Sequence, residues 1–283
     1  MSEGITGVDH VLVGVRDLEG ARETYTRLGF TPTPRGSHIG WGTANYCIMF
    51  ADDYVELLGI VDPAKFTNRL DEFLERREGL MGLAFATRDA EAAYAELEAA
   101  GVAPEPPKDL ARNLELPERT VQPRFKLVHL PAAATPAVPA FLCQHLSPEI
   151  VRRPEWLAHA NGAQAITAVT VIVDAPQTLG AAYARLLGAG PVTPTDDMLT
   201  VRAGRTALVF VTPAGFDDLY PEVDLDAGAR QPLIAGMTLA VASVDATAKA
   251  LDAGGVIYAR EAQGALVVGP ADACGVVLEF SQS

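Results

Sequence analysis

The fold is decided by the stretch Gly7-Val8-Asp9-His10-Val11-Leu12-Val13-Gly14-Val15-Arg16-Asp17. Its apolar residues alternate, so Val11, Val13 and Val15 fall on one face of a strand and His10 falls on the other. We expect the valine face to pack against a helix. Asp17 is a suitable N-cap for that helix, predicted over residues 18–28, because its carboxylate can accept hydrogen bonds from the first free backbone N–H groups.

The same unit ends in a second informative strand, Tyr54-Val55-Glu56-Leu57-Leu58, after two strands predicted around residues 35–42. Glu56 is the one charge in this apolar strand. A carboxylate in such a place is costly unless it is paired, solvated or bound to a metal. His10 and Glu56 are therefore the pair for which the sequence predicts a chemical role.

This pattern of apolar strand, aspartate, alanine-rich helix and glycine returns three times. The later aspartates are Asp89, Asp174 and Asp245, and the helices are predicted over residues 90–100, 176–187 and 246–253. Four units of one strand-helix-three-strand type follow from the repeat. Closely spaced prolines predict an irregular segment over 131–139.

Residues 147–162 are predicted to form a short helix, capped by Ser147, and a connector. We therefore expect an N-terminal domain over residues 1–160 and a C-terminal domain over residues 161–283.

The bulk composition excludes several classes of protein. The chain has 283 residues, 49% of them hydrophobic, and a formal net charge of −14. Such acidity disfavours nucleic acid and anionic membranes as partners, since both require a basic surface. Three widely spaced cysteines indicate neither a disulfide framework nor a thiolate metal site. With no leader or apolar span recognised, we expect a cytoplasmic protein whose partner is a small molecule, with a homodimer left open.

The quoted strands, together with Leu28-Gly29-Phe30 and the hairpin Trp41-Gly42-Thr43-Ala44-Asn45, resemble the vicinal oxygen chelate superfamily. This group includes the glyoxalases, bleomycin-resistance proteins and extradiol dioxygenases, and the hairpin is most similar to the proteins named for a glyoxalase-like domain. The resemblance implies an α+β fold of four βαβββ modules, paired into two curled mixed sheets with open concave cups.

The resemblance also implies a divalent metal in a cup, held by a histidine on a first strand and a carboxylate on a last strand. Carried over by position, His10 and Glu56 are candidate ligands. A third ligand could be Gln144 or His145, only one of which can face the cup because neighbouring strand residues point to opposite faces. The Phe-x-x-Glu form usual in relatives favours Gln144.

The other units depart from this pattern. The positions seven residues before the later aspartates hold Gly82, Thr167 and Thr238, so the histidine is not repeated. Glu279 stands where a ligand would in the fourth unit, without a histidine partner. We expect the C-terminal half to be degenerate and structural.

A His10–Glu56 site with open positions suits Zn, Mn, Fe or Ni. Such an ion polarises a carbonyl and stabilises the enolate formed when a neighbouring carbon loses a proton, and Glu56 could be the base. The expected function is isomerase or lyase chemistry on a small oxygen-rich substrate. The alternatives are a metal-free protein that sequesters a hydrophobic or aromatic ligand and, third, a non-haem iron dioxygenase, which would need a second histidine ligand.

Further side chains are candidates for contact with the substrate. His38 and Trp41 lie in the glycine-rich hairpin, where they could contact the substrate, lie in an exposed turn or pack in the core. Arg152 and His159 in the connector could line the mouth of the cup or dock the two halves. His129 could face the cup as a ligand or be structural. Arg124 belongs to a basic cluster that could bind an anion or be a solvated face; its members are Lys108, Arg112, Arg119, Arg124 and Lys126.

Overall fold

The computed structural model describes residues 4–225 and 231–282, which form four units in the predicted order. The first unit comprises β1 (Gly7–Val15), α1 (Leu18–Arg27), β2 (Gly36–His38), β3 (Thr43–Met49) and β4 (Tyr54–Ile60). A short helix, α2 (Leu70–Arg76), leads to the second unit. That unit comprises β5 (Gly79–Ala86), α3 (Ala90–Ala99), β6 (Lys108–Glu115), β7 (Thr120–Val121), β8 (Arg124–His129) and β9 (Ala140–His145).

The connector contains α4 (Pro148–Val151) and a 3-10 turn (Pro154–Trp156). The third unit consists of β10 (Ala163–Ile172), a 3-10 turn (Pro176–Leu179), α5 (Gly180–Leu187), β11 (Val192–Pro194), β12 (Met198–Ala203) and β13 (Thr206–Val211). Helix α6 (Pro213–Leu219) follows it. The fourth unit consists of β14 (Leu233–Val241), α7 (Val244–Ala253), β15 (Ala259–Arg260), β16 (Leu266–Val268), a 3-10 turn (Pro270–Asp272) and β17 (Val277–Gln282).

The predicted helix starts are confirmed in the first two units and corrected in the last two. Asp17 accepts a hydrogen bond from the Gly20 backbone N–H, and Asp89 caps α3 in the same way. In the fourth unit Ser243 is the N-cap, so α7 begins two residues before the predicted start. In the third unit a 3-10 turn precedes the α-helix, and no side chain caps it.

The first sheet is curled until it closes. Its strands lie in the order β2-β3-β4-β1-β5-β9-β8-β6-β7, and β2 also pairs with β6. The second sheet has the order β11-β12-β13-β10-β14-β17-β16-β15. Mixed parallel and antiparallel pairing around β1 and β10 places the first and last strands of each unit side by side. The predicted α+β architecture of paired, curled sheets is therefore confirmed.

The valine face of β1 lies in the main hydrophobic core, as predicted. Val11, Val13 and Val15 are fully buried there, together with Leu18 of α1 and apolar side chains from both sheets. One sheet is built from residues before position 160 and the other from residues after it, which agrees with a division there. One hydrophobic core nevertheless contains side chains from both sheets, so the division into two domains stays a prediction. No helix within the described ranges is long and apolar enough to cross a membrane.

Candidate functional site

The N-terminal cup is the cavity enclosed by the first sheet, with a volume of about 730 Å³ when the open space at its mouth is included. Apolar side chains make up much of its lining, among them Leu12, Leu58, Leu110, Phe125, Leu127 and Phe141. A few polar side chains converge on it, among them His10, His38, Asn45, Glu56, Arg112 and His129. An apolar cavity with a few convergent polar groups is the usual form of a small-molecule site.

His10 and Glu56 meet inside this cup. Both are buried, and His10 Nε2 lies 3.6 Å from Glu56 Oε2. The other ring nitrogen, Nδ1, lies 2.7 Å from Asp9 Oδ2, and the ring stacks on Tyr54 with centroids 4.4 Å apart. Metal-binding histidines in proteins are oriented in this way: one ring nitrogen donates a hydrogen bond to a carboxylate, and the other is left to bind the metal.

Asp9 reaches His10 because β1 contains a bulge. Val8 is opposite Phe85 and His10 is opposite Ala84, so Asp9 is the extra residue. In a regular strand neighbouring side chains point to opposite faces, whereas a bulge can re-aim one of them. Asp9 could not be predicted from the sequence for this reason, since alternation alone places it away from His10.

A polar network lies behind Glu56. Its Oε1 accepts a short hydrogen bond from Asn45 Nδ2, and Asn45 Oδ1 accepts one from Arg112 Nη1 at 2.9 Å. Gly36 on β2 leaves the space for this network, because a Cβ there would collide with Asn45 and Arg112. The network fixes Glu56 and leaves Oε2 directed at His10.

The donor set at His10 and Glu56 fits a cation. When a neutral His10 donates a hydrogen bond from Nδ1–H to Asp9, its Nε2 carries a lone pair, and this lone pair faces a carboxylate oxygen of Glu56. Two electron pairs that face each other in a buried place need a proton or a metal ion between them. His10 Nε2 and Glu56 Oε2 are thus suitable as two ligands of one divalent ion.

A second group of possible ligands shares His10. Within residues 4–225 and 231–282, Asp9, His10 and Cys143 are the one trio whose donor atoms all lie within 4.8 Å of one another. Burial first of all, and nearby carboxylates, raise the pKa of the Cys143 thiol well above its usual range, so the sulfur keeps its proton near neutral pH. Asp9 already accepts from two histidines. This trio is therefore a possible metal site that shares His10 with the pair described above.

The structure does not bring Gln144 to the cup. Its Oε1 accepts from the Ala90 backbone N–H at 3.0 Å, and its Nε2 donates to the Arg88 carbonyl at 2.8 Å. Gln144 thus holds the start of α3, on the face of β9 that points away from His10.

The register of β9 explains the position of Gln144. Leu12 is paired with Glu56 in the first unit, and Ala84, the matching residue of β5, is paired with Phe141. Phe141 therefore occupies the position equivalent to Glu56, three residues before Gln144. Its ring lines the cup and meets His10 edge-on with centroids 5.6 Å apart. An aromatic ring stands where the resemblance implied a ligand.

His145 faces Asp9 rather than Glu56. Its Nε2 lies 3.1 Å from Asp9 Oδ2, on the side of Asp9 away from the cup. Arg152 Nη2 is 3.6 Å from Asp9 Oδ1 and donates to the Asp52 carbonyl, while Arg152 Nη1 donates to the Phe50 carbonyl. His145, a candidate metal ligand, and Arg152, a candidate substrate contact, thus line a separate groove rather than the N-terminal cup.

His38 and Trp41 line the N-terminal cup. Their rings stack with centroids 5.2 Å apart, and His38 Nδ1 lies 2.9 Å from Thr43 Oγ1. Burial lowers the pKa of His38, so its imidazole is neutral near pH 7. Both side chains are in a position to touch a substrate bound in the cup, and that contact stays a prediction.

Two further candidates lie outside the cup. Arg124 is exposed. His159 accepts a hydrogen bond at Nδ1 from the Thr31 backbone N–H and donates one from Nε2 to the Met49 carbonyl. His159 therefore holds the connector against the first unit rather than lining the cup. The basic cluster is not formed: Lys108 and Lys126 pair with surface glutamates, whereas Arg112 points into the cup.

The second sheet carries Glu279 without a histidine. Counting from the true cap Ser243, the position equivalent to His10 is Gly236 rather than Thr238, and Glu279 is opposite Thr238 as Glu56 is opposite Leu12. Glu279 Oε2 accepts hydrogen bonds from Tyr220 and Thr238. Tyr220 follows α6, which covers this face of the sheet.

Comparisons with known proteins agree with this geometry. The sequence model described as "Glyoxalase-like domain" matches residues 8–187. A comparison with curated proteins finds no match. A hypothetical protein from Staphylococcus aureus has a similar structure, with a TM-score of 0.71 and 13% identity over 98% of this chain and 99% of that chain.

Two other solved structures are similar in fold. A mutant of 4-hydroxymandelate synthase from Streptomyces coelicolor has a TM-score of 0.59 and 12% identity, over 98% of this chain and 92% of that chain. A xylose isomerase-like TIM barrel/4-hydroxyphenylpyruvate dioxygenase fusion protein has a TM-score of 0.57 and 15% identity, over 98% and 49%. At these identities the likeness concerns the fold alone.

Proposed function

The chain belongs to the family of glyoxalase-like domains, whose model matches more than half of it, and we propose that it is an enzyme that moves a proton on a small oxygen-rich carbonyl compound in the N-terminal cup. The observation that carries the proposal is the approach of His10 Nε2 to Glu56 Oε2, 3.6 Å apart and buried. Each side chain is oriented from behind, His10 by Asp9 and Glu56 by Asn45.

In this proposal His10 and Glu56 hold a divalent ion. When bound, the ion supplies a Lewis acid that polarises a carbonyl oxygen and stabilises developing negative charge. Zn, Mn, Fe and Ni all suit nitrogen and oxygen ligands of this kind. Two protein ligands leave coordination positions for two oxygens of a substrate.

The chain's own side chains would do the rest. Asp9 accepts a hydrogen bond from Nδ1–H of His10 and so fixes the orientation of the ring. As the alternative to binding the ion, Glu56 Oε2 would take the proton that the substrate carbon loses, since Oε1 is held by Asn45. Phe125, Leu127 and Phe141 contribute an apolar lining that excludes water and strengthens these charge interactions.

Exchange of hydrogen for deuterium tests this proposal without a known substrate. The protein, supplied in turn with each metal, is incubated in D2O with a panel of hydroxy- and oxo-carbonyl compounds and followed by proton NMR. We expect exchange beside the carbonyl, about 100-fold slower in Glu56→Gln and unchanged in the control Glu279→Gln. Exchange that is absent throughout, or equal in Glu56→Gln, contradicts the proposal.

A second function is favoured by two observations: Phe141 occupies the position equivalent to Glu56, and many apolar side chains line the cup. The cup would then bind and sequester a hydrophobic or aromatic molecule without a metal. A stoichiometric organic ligand in metal-free protein supports this function.

A dioxygenase is disfavoured. Among the described residues no second histidine has a ring nitrogen within 4.8 Å of the donor atoms of both His10 and Glu56, so the two-histidine, one-carboxylate set is not assembled. A cytoplasmic location and a small-molecule partner belong to the same proposal, as does the open possibility of a homodimer. The location is supported by Cys47 and Cys143, which are buried free thiols.

A further inference from the structure

Arg112 is a buried cation that the proposed chemistry does not use. It lies on β6 with 4% of its surface exposed, and it lines the N-terminal cup. Nη1 donates to Asn45 Oδ1 at 2.9 Å, Nη2 donates to Cys47 Sγ at 3.6 Å, and the guanidinium group lies over the Phe125 ring at 5.9 Å. A guanidinium group taken out of water is costly unless an anion compensates its charge.

No anion does so directly. Within residues 4–225 and 231–282, no carboxylate oxygen lies within 4 Å of the Arg112 nitrogens; the ion pairs of this part of the chain involve other basic side chains. Burial raises the pKa of the Cys47 thiol to about 12, so its sulfur is a neutral, weak acceptor. Glu56 has no direct hydrogen bond to Arg112: the Asn45 amide bridges the two side chains, and the Glu56 charge acts on the guanidinium group across it.

The surroundings of Arg112 favour a particular ligand. The guanidinium fork binds carboxylates in two parallel hydrogen bonds. Beside it the cup is apolar and aromatic, with Phe125 and Leu127 next along β8 and Phe141 opposite on β9. A flat apolar body that ends in a carboxylate would satisfy both the buried charge and this lining.

We propose that Arg112 is the residue that recognises the substrate, and that the substrate is an organic carboxylate with an apolar or aromatic body. This inference rests on the proposed use of the N-terminal cup for a small molecule, and it adds the chemical class of that molecule. Arg112 acts as a specificity residue, and Asn45 holds it beside Glu56.

Matched pairs of an acid and its amide test the proposal, because they share a shape and differ in charge. The probes are 3-phenylpropanoate with 3-phenylpropanamide and 2-naphthoate with 2-naphthamide, titrated calorimetrically at pH 7. In the wild type we expect each acid to bind at least about tenfold more tightly than its amide. Arg112→Gln should abolish this preference, and the exposed Arg124→Gln should keep it.

Equal binding of acid and amide by the wild type overturns the inference, as does a preference that survives in Arg112→Gln or the absence of binding by any probe at millimolar concentration. Arg112→Lys keeps the charge and should keep a reduced preference, which covers the case in which Arg112→Gln does not fold.

A chelator separates this inference from the metal proposal. A preference that survives metal removal and disappears in Arg112→Gln supports Arg112, whatever the outcome for the metal. A preference that disappears with the metal and survives in Arg112→Gln assigns the anion to the metal and overturns the role of Arg112.

Discussion

Asp53 is a single residue whose protonation links folding to pH. It is 1% exposed, and its Oδ1 accepts from the Ile166 backbone N–H at 3.2 Å. Burial raises its pKa from 3.8 to about 7. The folded protein therefore keeps a proton that the unfolded chain loses above about pH 4, so the stability contributed by this group falls as the pH rises to about 7.

Asp53→Asn keeps the shape and the acceptor oxygen and removes the titration. Between pH 4 and pH 8, we expect the free energy of unfolding of the variant to rise by about 2–4 kcal/mol relative to that of the wild type. Urea unfolding across this range measures it. Parallel pH profiles of the two proteins would show that Asp53 does not titrate in this window.

The residues of the site were predictable to different degrees. His10 and Glu56 stood out because a charge or imidazole inside an apolar strand requires a reason. Asp9 did not, because its role depends on a bulge that alternation cannot reveal. For Arg112, one of five basic residues close in sequence, the pattern leaves anion binding and a solvated face open, because the sequence does not show which of the five faces the cup.

At the scale of the element, the start of α3 depends on β9. Gln144 satisfies the Ala90 N–H and donates to the Arg88 carbonyl. Gln144→Ala should lower the free energy of unfolding by about 1–2 kcal/mol and leave metal binding unchanged. Loss of the metal in this variant, measured by elemental analysis, would restore Gln144 as a ligand.

The register of β9 makes a converse prediction. Phe141→His places an imidazole beside His10 at the position equivalent to Glu56. We expect the metal to bind about tenfold more tightly or better, because three protein ligands are typical of catalytic sites. A competition titration with a chelating dye measures the change. Unchanged affinity would mean that position 141 does not reach the ion.

The repeat predicted the elements better than the register between them. Strand, cap and helix are set by local patterns, which is why α1 and α3 begin where Asp17 and Asp89 predict. The pairing of β9 with β5 is a long-range contact and has no local signal. For this reason the sequence does not reveal that Gln144 lies away from the cup.

On the scale of the whole molecule, the two sheets differ in what lies against them. The first encloses a cavity, whereas the second is covered by α6, whose Phe216 is fully buried in an apolar cluster with Tyr220. Phe216→Ala should lower the free energy of unfolding by about 3–5 kcal/mol. Glu279→Gln, the control in the same region, should keep the metal content of the wild type. A metal lost in Glu279→Gln would place a site in the second sheet.

The central claim, that His10 and Glu56 of the first sheet hold a metal ion, is tested most directly by one measurement. Elemental analysis of protein purified without a His-tag or chelator, and supplied with Zn, Mn, Fe or Ni, is compared between the wild type and the double variant His10→Ala, Glu56→Ala. The account predicts about one divalent ion per chain in the wild type and none in the variant. No ion in either protein, or the same ion content in both, would contradict the proposal that His10 and Glu56 hold a metal.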